Sequence, residues 1–539
     1  MKRLFILGLL MIVCGASVNA QKAQKSSHSK EPSTFRTSDR CFPCHTGMTT
    51  ESGTDVSIGF DWRASIMANS ARDPYWQASI RRESIDHPES IKSIEDECTV
   101  CHMPIPRFEA KLHGEKGLAF SRLPINTEDD PAAADGVTCS VCHQIAKDNL
   151  GTRESFNGNF VIHAPDKDGL HTEYGPFPIE SGQTRIMWSS TEGYLPQGSD
   201  HIRRSELCAT CHTLITTALG EGGNAIGTLP EQVPYQEWLH SDYRNKQSCQ
   251  DCHMPLVQEP TQISKVFGVK REGLHRHQFV AANFFMQEML NRYRDDLSVV
   301  ALPHELTRAA DETVQYLQSK AATLAVENIS MNAGRLQADV VVRNHGGHKL
   351  PTAYPSRRAW LHLSVRDHSG KLVFESGALQ PNGSIAGNDN DDDPKRFEPH
   401  YSEIRTSDQV QIYESILGDE HGRVTTGLLA GVGYLKDNRL LPDGFDKQTA
   451  DKEIAVIGAA HDDPNFSAGS DRVHYSVEVD SGAGPFTVDA ELLYQPIGFR
   501  WANNLKPYSA AVEPHRFTTY YEAMQAKTAV RLAQAFAAQ

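Results

Sequence analysis

The sequence predicts a multidomain α+β protein. A mostly helical and irregular domain over residues 38–300 precedes a linking helix over 301–329. A β-sandwich-like domain with a C-terminal helix follows over 330–539. Three observations predict this. Ten of the eleven cysteines fall in five Cys-x-x-Cys-His units, all between residues 41 and 253. Apolar residues recur at helical spacing from about 278 to 326. Beyond 330 the pattern turns to alternation with period two.

Met1–Ala20 reads as a secretory signal. Lys2 and Arg3 precede the apolar run Leu4–Val13, which is too short to span a bilayer, and Val18-Asn19-Ala20 offers a cleavage site before Gln21. Lipid attachment at Cys14 is disfavoured, because a small residue should precede the cysteine and Val13 stands there. Residues 21–37 form a Ser/Lys-rich flexible leader. No later run resembles a membrane helix.

Between 38 and 300 the five units are separated by unequal loops rich in Pro, Gly, Asp and His, so they are not a solenoid array. Residues 278–296 read as a helix. A second helix from Pro303 to about Val326 carries Leu306, Ala310, Val314, Leu317 and Ala321 on one face. Strands follow. Leu336, Ala338, Val340 and Val342 alternate; Leu361, Leu363 and Val365 turn at Asp367–Gly370 into Leu372–Phe374. Val473, Tyr475, Val477 and Val479 turn at Ser481–Gly484 into Phe486, Val488, Ala490 and Leu492. These read as sandwich hairpins. A last helix is expected over about Thr518–Phe536.

The five units are Cys41/Cys44/His45, Cys98/Cys101/His102, Cys139/Cys142/His143, Cys208/Cys211/His212 and Cys249/Cys252/His253. Each reads as a c-type haem attachment site: two thiols bond the vinyl groups and the next histidine ligates the iron. Zinc ribbons would pair such units in twos, and five is odd; a thioredoxin-type reading does not account for five identical trailing histidines. Five covalently bound haems are therefore expected.

The sixth ligand of each iron decides between relay and catalyst. Of 24 histidines, 19 remain beyond the five proximal ones. His201, His240 and His277 flank the last two units and are the first distal candidates; His113 and His163 come next, and His87, His171 and His275 are weaker. Met67 and Met187 are the thioether candidates. His345 and His348 lie in Asn344–Thr352, just after a strand of the β-rich domain, from which either could reach a haem.

The net charge is −15; loss of Lys2 and Arg3 leaves 51 basic against 68 acidic residues, or −17. This disfavours nucleic acid and favours a partner with a basic surface. The acidic loop Asn388–Asp393 is a candidate calcium site, although it lacks the EF-hand glycine and terminal glutamate. No nucleophile elbow, phosphate loop, dinucleotide fingerprint or Cys-x-x-Cys-Lys variant occurs.

The segments Asp135–Ile145, Glu206–Leu214, Cys249–Pro255 and Gly347–Thr352 resemble bacterial multihaem c-type cytochromes related to the nitrifiers' tetrahaem electron carrier. The resemblance is clearest over residues 40–290 and implies closely spaced haems that transfer electrons between proteins. Five units here against four there leave the ligand sets open. The expected function is an exported pentahaem electron carrier with protein redox partners. One alternative is an oxidoreductase with an open haem, best at Cys41/Cys44/His45, acting on a small nitrogen or sulfur compound. Another is a haem-bearing oligomer or filament subunit.

Overall fold

The computed structural model describes residues 34–191 and 193–539. The signal, most of the leader and Cys14 lie outside the described residues. Every Cys-x-x-Cys-His unit sits at the end of a short helix: Phe42–His45, Ile91–His102, Cys139–Gln144, Ser205–His212 and Cys249–His253. On a helical turn, residues i, i+3 and i+4 share a face, so both thiols and the imidazole point the same way. The five-residue helix Cys249–His253 is held by a capping box, in which Ser248 and Asp251 each accept the other's backbone N–H.

Longer helices frame these turns. Helix α1 (Pro74–Asp86) starts under Asp73, whose carboxylate caps Tyr75 and Trp76 at 2.8 and 3.2 Å. Helix α2 is Phe284–Arg292 and α3 is Pro303–Tyr316. The linking helix is thus shorter than its periodicity implied. It passes through the turn Leu317–Ala321 into strand β1, Ala322–Asn332, so Leu324 and Val326 belong to a strand.

Two largely antiparallel sheets follow. The first orders Glu403–Ile404, β4 (Ser470–Glu478), β2 (Arg335–Asn344) and β1, with Glu403–Ile404 added in parallel. The second orders Leu372–Ser376, β3 (Arg358–Arg366), β5 (Thr487–Gln495) and β6 (Val530–Ala538). The Asp367–Gly370 hairpin forms as expected. The second expected hairpin does not: β4 and β5 lie in different sheets, and Ser481–Gly484 carries the chain across. Either arrangement buries the same alternate residues, so the local pattern cannot distinguish them. The C-terminus also departs from expectation. The helix is Val512–Met524, and the tail is strand β6, paired along β5 from Tyr494↔Val530 to Thr487↔Ala538. Its Ala/Gln-rich composition favours helix, but pairing with a buried strand overrides that preference.

Inward residues of both sheets share one core: Leu336, Val340 and Val342, Val473 and Tyr475, Leu361 and Leu363, Val488 and Leu492. This core continues through Phe284, Met289 and Leu306 to Tyr75 and Ala78 near the second motif. Polar ties reinforce it. Arg81 grips Glu513 through two 2.8 Å bonds, and Tyr293 stacks on Tyr520 at 3.5 Å. Residues 34–539 accordingly pack as one unit.

Candidate haem centres

Four of the five motif histidines have the same local arrangement. The Nδ1 of His45 faces the carbonyl of Ile263 at 2.7 Å, that of His102 faces Ser70 at 2.9 Å, that of His143 faces Tyr174 at 2.6 Å, and that of His253 faces Val280 at 2.6 Å. A carbonyl only accepts, so each Nδ1 carries the proton and Nε2 presents its lone pair. This is the tautomer an iron ligand needs, set by its outer hydrogen bond. Burial acts in the same direction. It pushes His102 and His253 down to about 4, and the charge of nearby His348 adds to the effect at His253. Burial, with nearby Arg357, also holds the fifth ring, His212, below its ordinary value. These rings are neutral at pH 7.

Two further histidines stand opposite motif histidines. His277 lies 6.3 Å from His143, ring centre to ring centre, with the planes 18° apart. His348 lies 6.1 Å from His253 with the planes 8° apart. A metal bound on axis by two imidazoles, about 2 Å from each nitrogen, separates their centres by about 6 Å. His277 and His348 also turn Nδ1 toward backbone carbonyls, of His275 at 3.2 Å and Lys349 at 2.9 Å. Burial pushes His277 down to about 3. Asp61 steadies the segment: it takes Arg276 through two bonds of 2.9 and 2.7 Å, and Arg308 at 3.1 Å.

The other distal candidates have different surroundings. His201 uses both ring nitrogens, with Ser199 Oγ at 2.7 Å and the Ile145 carbonyl at 2.8 Å, so neither is free for a metal. His240 turns Nδ1 to the Gln236 carbonyl and Nε2 toward Asp451 at 3.5 Å. His163 pairs with Asp148 at 2.9 Å on the surface, and His113 is an exposed C-cap. Met67 and Met187 are half-buried; the Met67 carbonyl accepts Val137 N–H, which docks that segment on the third motif. His345 bonds Thr323 at 2.9 Å. His275 keeps Nε2 available, with Nδ1 on the Met254 carbonyl at 2.7 Å, and buried His171 has an unpartnered Nδ1.

The ten motif thiols are half-buried, and six of them meet in pairs between motifs. Cys41 neighbours Cys139, Cys101 neighbours Cys211, and Cys208 neighbours Cys249, each within hydrogen-bonding reach. Cys98, Cys142 and Cys252 stand outside these pairs, and burial pushes each of the three thiols up.

The two thiols of the first motif have different surroundings. Cys41 packs against the third motif, whereas Cys44 joins no cysteine pair and is half-buried and unbonded to another cysteine. Its placement comes from the backbone. Cys44 N–H donates to the Cys41 carbonyl at 3.2 Å, and the Cys44 carbonyl accepts Lys265 N–H at 2.7 Å. The same stretch supplies the Ile263 carbonyl to His45, so one segment fixes both residues. The reason for the difference is the short helix Phe42–His45: Cys41 is its N-cap and meets the neighbouring motif, while Cys44 lies one turn on. A role for Cys44 in haem attachment thus rests on its motif spacing. The donor set, two thiols and a neutral imidazole on one face with a second imidazole about 6 Å away for two motifs, fits a c-type haem.

The acidic loop is not arranged around a cation. Arg358 binds both oxygens of Asp391 at 2.8 and 2.9 Å, Arg396 takes Asp389, and Asn388 caps the turn Asp389–Asp392. Two of the loop's carboxylates, Asp389 and Asp391, are thus engaged by arginines. His400, Asp463 and Asp471 also converge, tied into a hydrogen-bonded network that leaves Asp471 Oδ1 without a partner. The amides of Gln411 and Asn438 both donate to His400 Nδ1, which leaves its Nε2–H for Asp463 at 3.2 Å.

A mixed helix-and-sheet chain with Cys-x-x-Cys-His turns gathered beside two sheets is the class this fold and site define. The fold is similar to the crystal structure of a penta-heme cytochrome c552 from Thermochromatium tepidum, with a TM-score of 0.51 and 15% identity, over 94% of this chain and 100% of that one. No family model and no curated protein sequence matches the chain.

The sequence did not single out the groups that orient these rings: the four carbonyls, and Asp61 with Arg276. Backbone carbonyls have no sequence signature, and a buried carboxylate reads like an exposed one.

Proposed function

We propose that this chain is an exported electron-transfer protein that holds five c-type haems and passes electrons between protein partners. The observation that carries this reading is the two facing imidazole pairs, His143/His277 and His253/His348, with near-parallel planes and centre separations of 6.3 and 6.1 Å that admit an iron between them. Bound haem supplies one-electron redox chemistry. The chain keeps the ligating imidazoles neutral, aims their Nε2 atoms, and packs the attachment turns closely. The thiol contacts link motif 1 to 3, 2 to 4 and 4 to 5, so the attached groups are neighbours. The likeness in fold to a solved penta-heme cytochrome supports the same reading.

Residues 38–300 supply the attachment sites. Residues 330–539 form a sandwich-like part that contributes His348. The N-terminal signal supports export, and the net charge of −15 suits a partner with a basic surface. Iron and mass analysis of the purified holoprotein should give five haems per chain. Electron paramagnetic resonance and near-infrared dichroism should show at least two low-spin bis-imidazole haems. His277→Ala and His348→Ala should each convert one low-spin iron to a high-spin, carbon monoxide-binding one. Unchanged spectra in both variants would overturn the ligand assignment. A high-spin iron that turns over a small nitrogen or sulfur compound in the native protein would favour the oxidoreductase reading.

A further inference from the structure

His348 lies in a loop held by four buried charges, and none of the four belongs to the attachment motifs. Lys349 has no exposed side-chain surface and places Nζ 2.8 Å from Asp437. Arg439 binds the same carboxylate through Nε at 2.9 Å and Nη2 at 2.8 Å. Its Nη1 lies 3.0 Å from Glu237 Oε1, an ion pair without hydrogen-bond alignment. Glu237 closes the ring. Its Oε2 accepts Lys349 N–H at 3.1 Å and Thr352 Oγ1 at 2.5 Å. The quartet therefore joins three segments: the helix Pro234–Leu239 ahead of the fifth motif, the His348 loop, and the strand Gly433–Asp437 with its continuation.

The backbone around His348 is clamped to match. Leu350 exchanges two 2.9 Å bonds with Leu440, and Asn344 Nδ2 donates to the His348 carbonyl at 2.8 Å. A Cβ on Gly347 would meet Trp238 and Tyr243 at 3.2 Å, so the loop lies directly on the polypeptide leading into the fifth motif. Burying four charges is costly, and well-packed apolar side chains would stabilise the fold as well or better. What ions add is geometric specificity: each has one arrangement of partners, and that arrangement fixes the register of the loop.

We propose that Glu237, Lys349, Asp437 and Arg439 are positioning residues that set the His348 ring on axis opposite His253. This rests on the reading of His348 as an iron ligand. The test uses the full-length holoprotein and reads spin state and carbon monoxide uptake rather than activity. Glu237→Gln and Lys349→Met should each convert one of the five haems to high spin and add one carbon monoxide per chain, as His348→Ala does. The His143/His277 signal should stay unchanged, added imidazole should restore the low-spin state, and Lys349→Arg should retain it in part. Should Lys349→Met fail to fold, the charge-neutral pair Lys349→Met/Asp437→Leu and the Glu237→Gln variant carry the test. If His348→Ala alters the spectrum while the quartet variants lower only the melting temperature, the positioning role is overturned and the ligand reading stands. If His348→Ala itself changes nothing, the ligand reading falls and the positioning role falls with it.

Discussion

At the scale of single residues, burial sets the ionisation states. Glu231 is buried beside the second motif, where desolvation, opposed by its bonds to Thr216 and Gln232 and reinforced by Glu97 and Glu83, pushes it up to about 7. A carboxyl raised in the folded state binds its proton more tightly than in the unfolded chain. Its contribution is complete below the unfolded value near 4.5 and is lost as pH rises through 7. Glu231→Gln should therefore remove a loss of about 3 kcal/mol between pH 4.5 and pH 8. Parallel urea denaturations of both proteins at those two pH values check it. Asp73 combines capping with burial. Asp73→Ala should cost about 1–2 kcal/mol, read as a lower denaturation midpoint, because two N–H groups of α1 lose their acceptor.

At the scale of elements, the Cys-x-x-Cys-His turns depend on close backbone approach. Gly136, three residues before Cys139, has φ +59°, and a Cβ there would lie 2.6 Å from the Met67 carbonyl. Gly136→Ala combines left-handed backbone strain with that collision, so a loss of about 3 kcal/mol is expected. The Met67–Val137 bond should break with it. Haem content of the purified variant should fall from five toward four, with the third site the one affected; full occupancy with unchanged stability would contradict this. The motif helices themselves were legible in the sequence, because cysteine spacing and a trailing histidine are local signals. The hairpin at Asp367–Gly370 was legible for the same reason. The crossover at Ser481–Gly484 and the C-terminal strand were not, since both depend on which distant strand offers an edge. The unlike surroundings of Cys41 and Cys44 were not legible either, because they depend on which other motif packs alongside.

At the scale of the whole molecule, the region of the Cys-x-x-Cys-His units and the sheets share a core, and His348 faces His253 across them. Leu306, Phe284 and Tyr75 belong to the same apolar cluster as Val340 and Leu492. Arg63 reaches Glu305 at 2.5 Å, and Asp242 N–H bonds the Asp443 carbonyl at 2.8 Å. A truncated chain ending at residue 329 should therefore lose solubility, or, if recovered, lack one low-spin haem, because His348 is absent and the face of α2 and α3 is uncovered. Spin quantitation and light scattering of the truncated protein check both outcomes.

The sequence by itself determined the five Cys-x-x-Cys-His units, the helical turns that carry them and the change from helical to alternating pattern, because each is written in residues close together along the chain. It ranked His201, His240 and His277 first among the distal candidates and His348 last. Only the tertiary structure set His277 and His348 opposite motif histidines, while both ring nitrogens of His201 meet other partners. Ligation needs a second imidazole about 6 Å away, on axis and with a free nitrogen. That condition depends on segments 95 to 134 residues apart, His253 to His348 and His143 to His277, meeting in space.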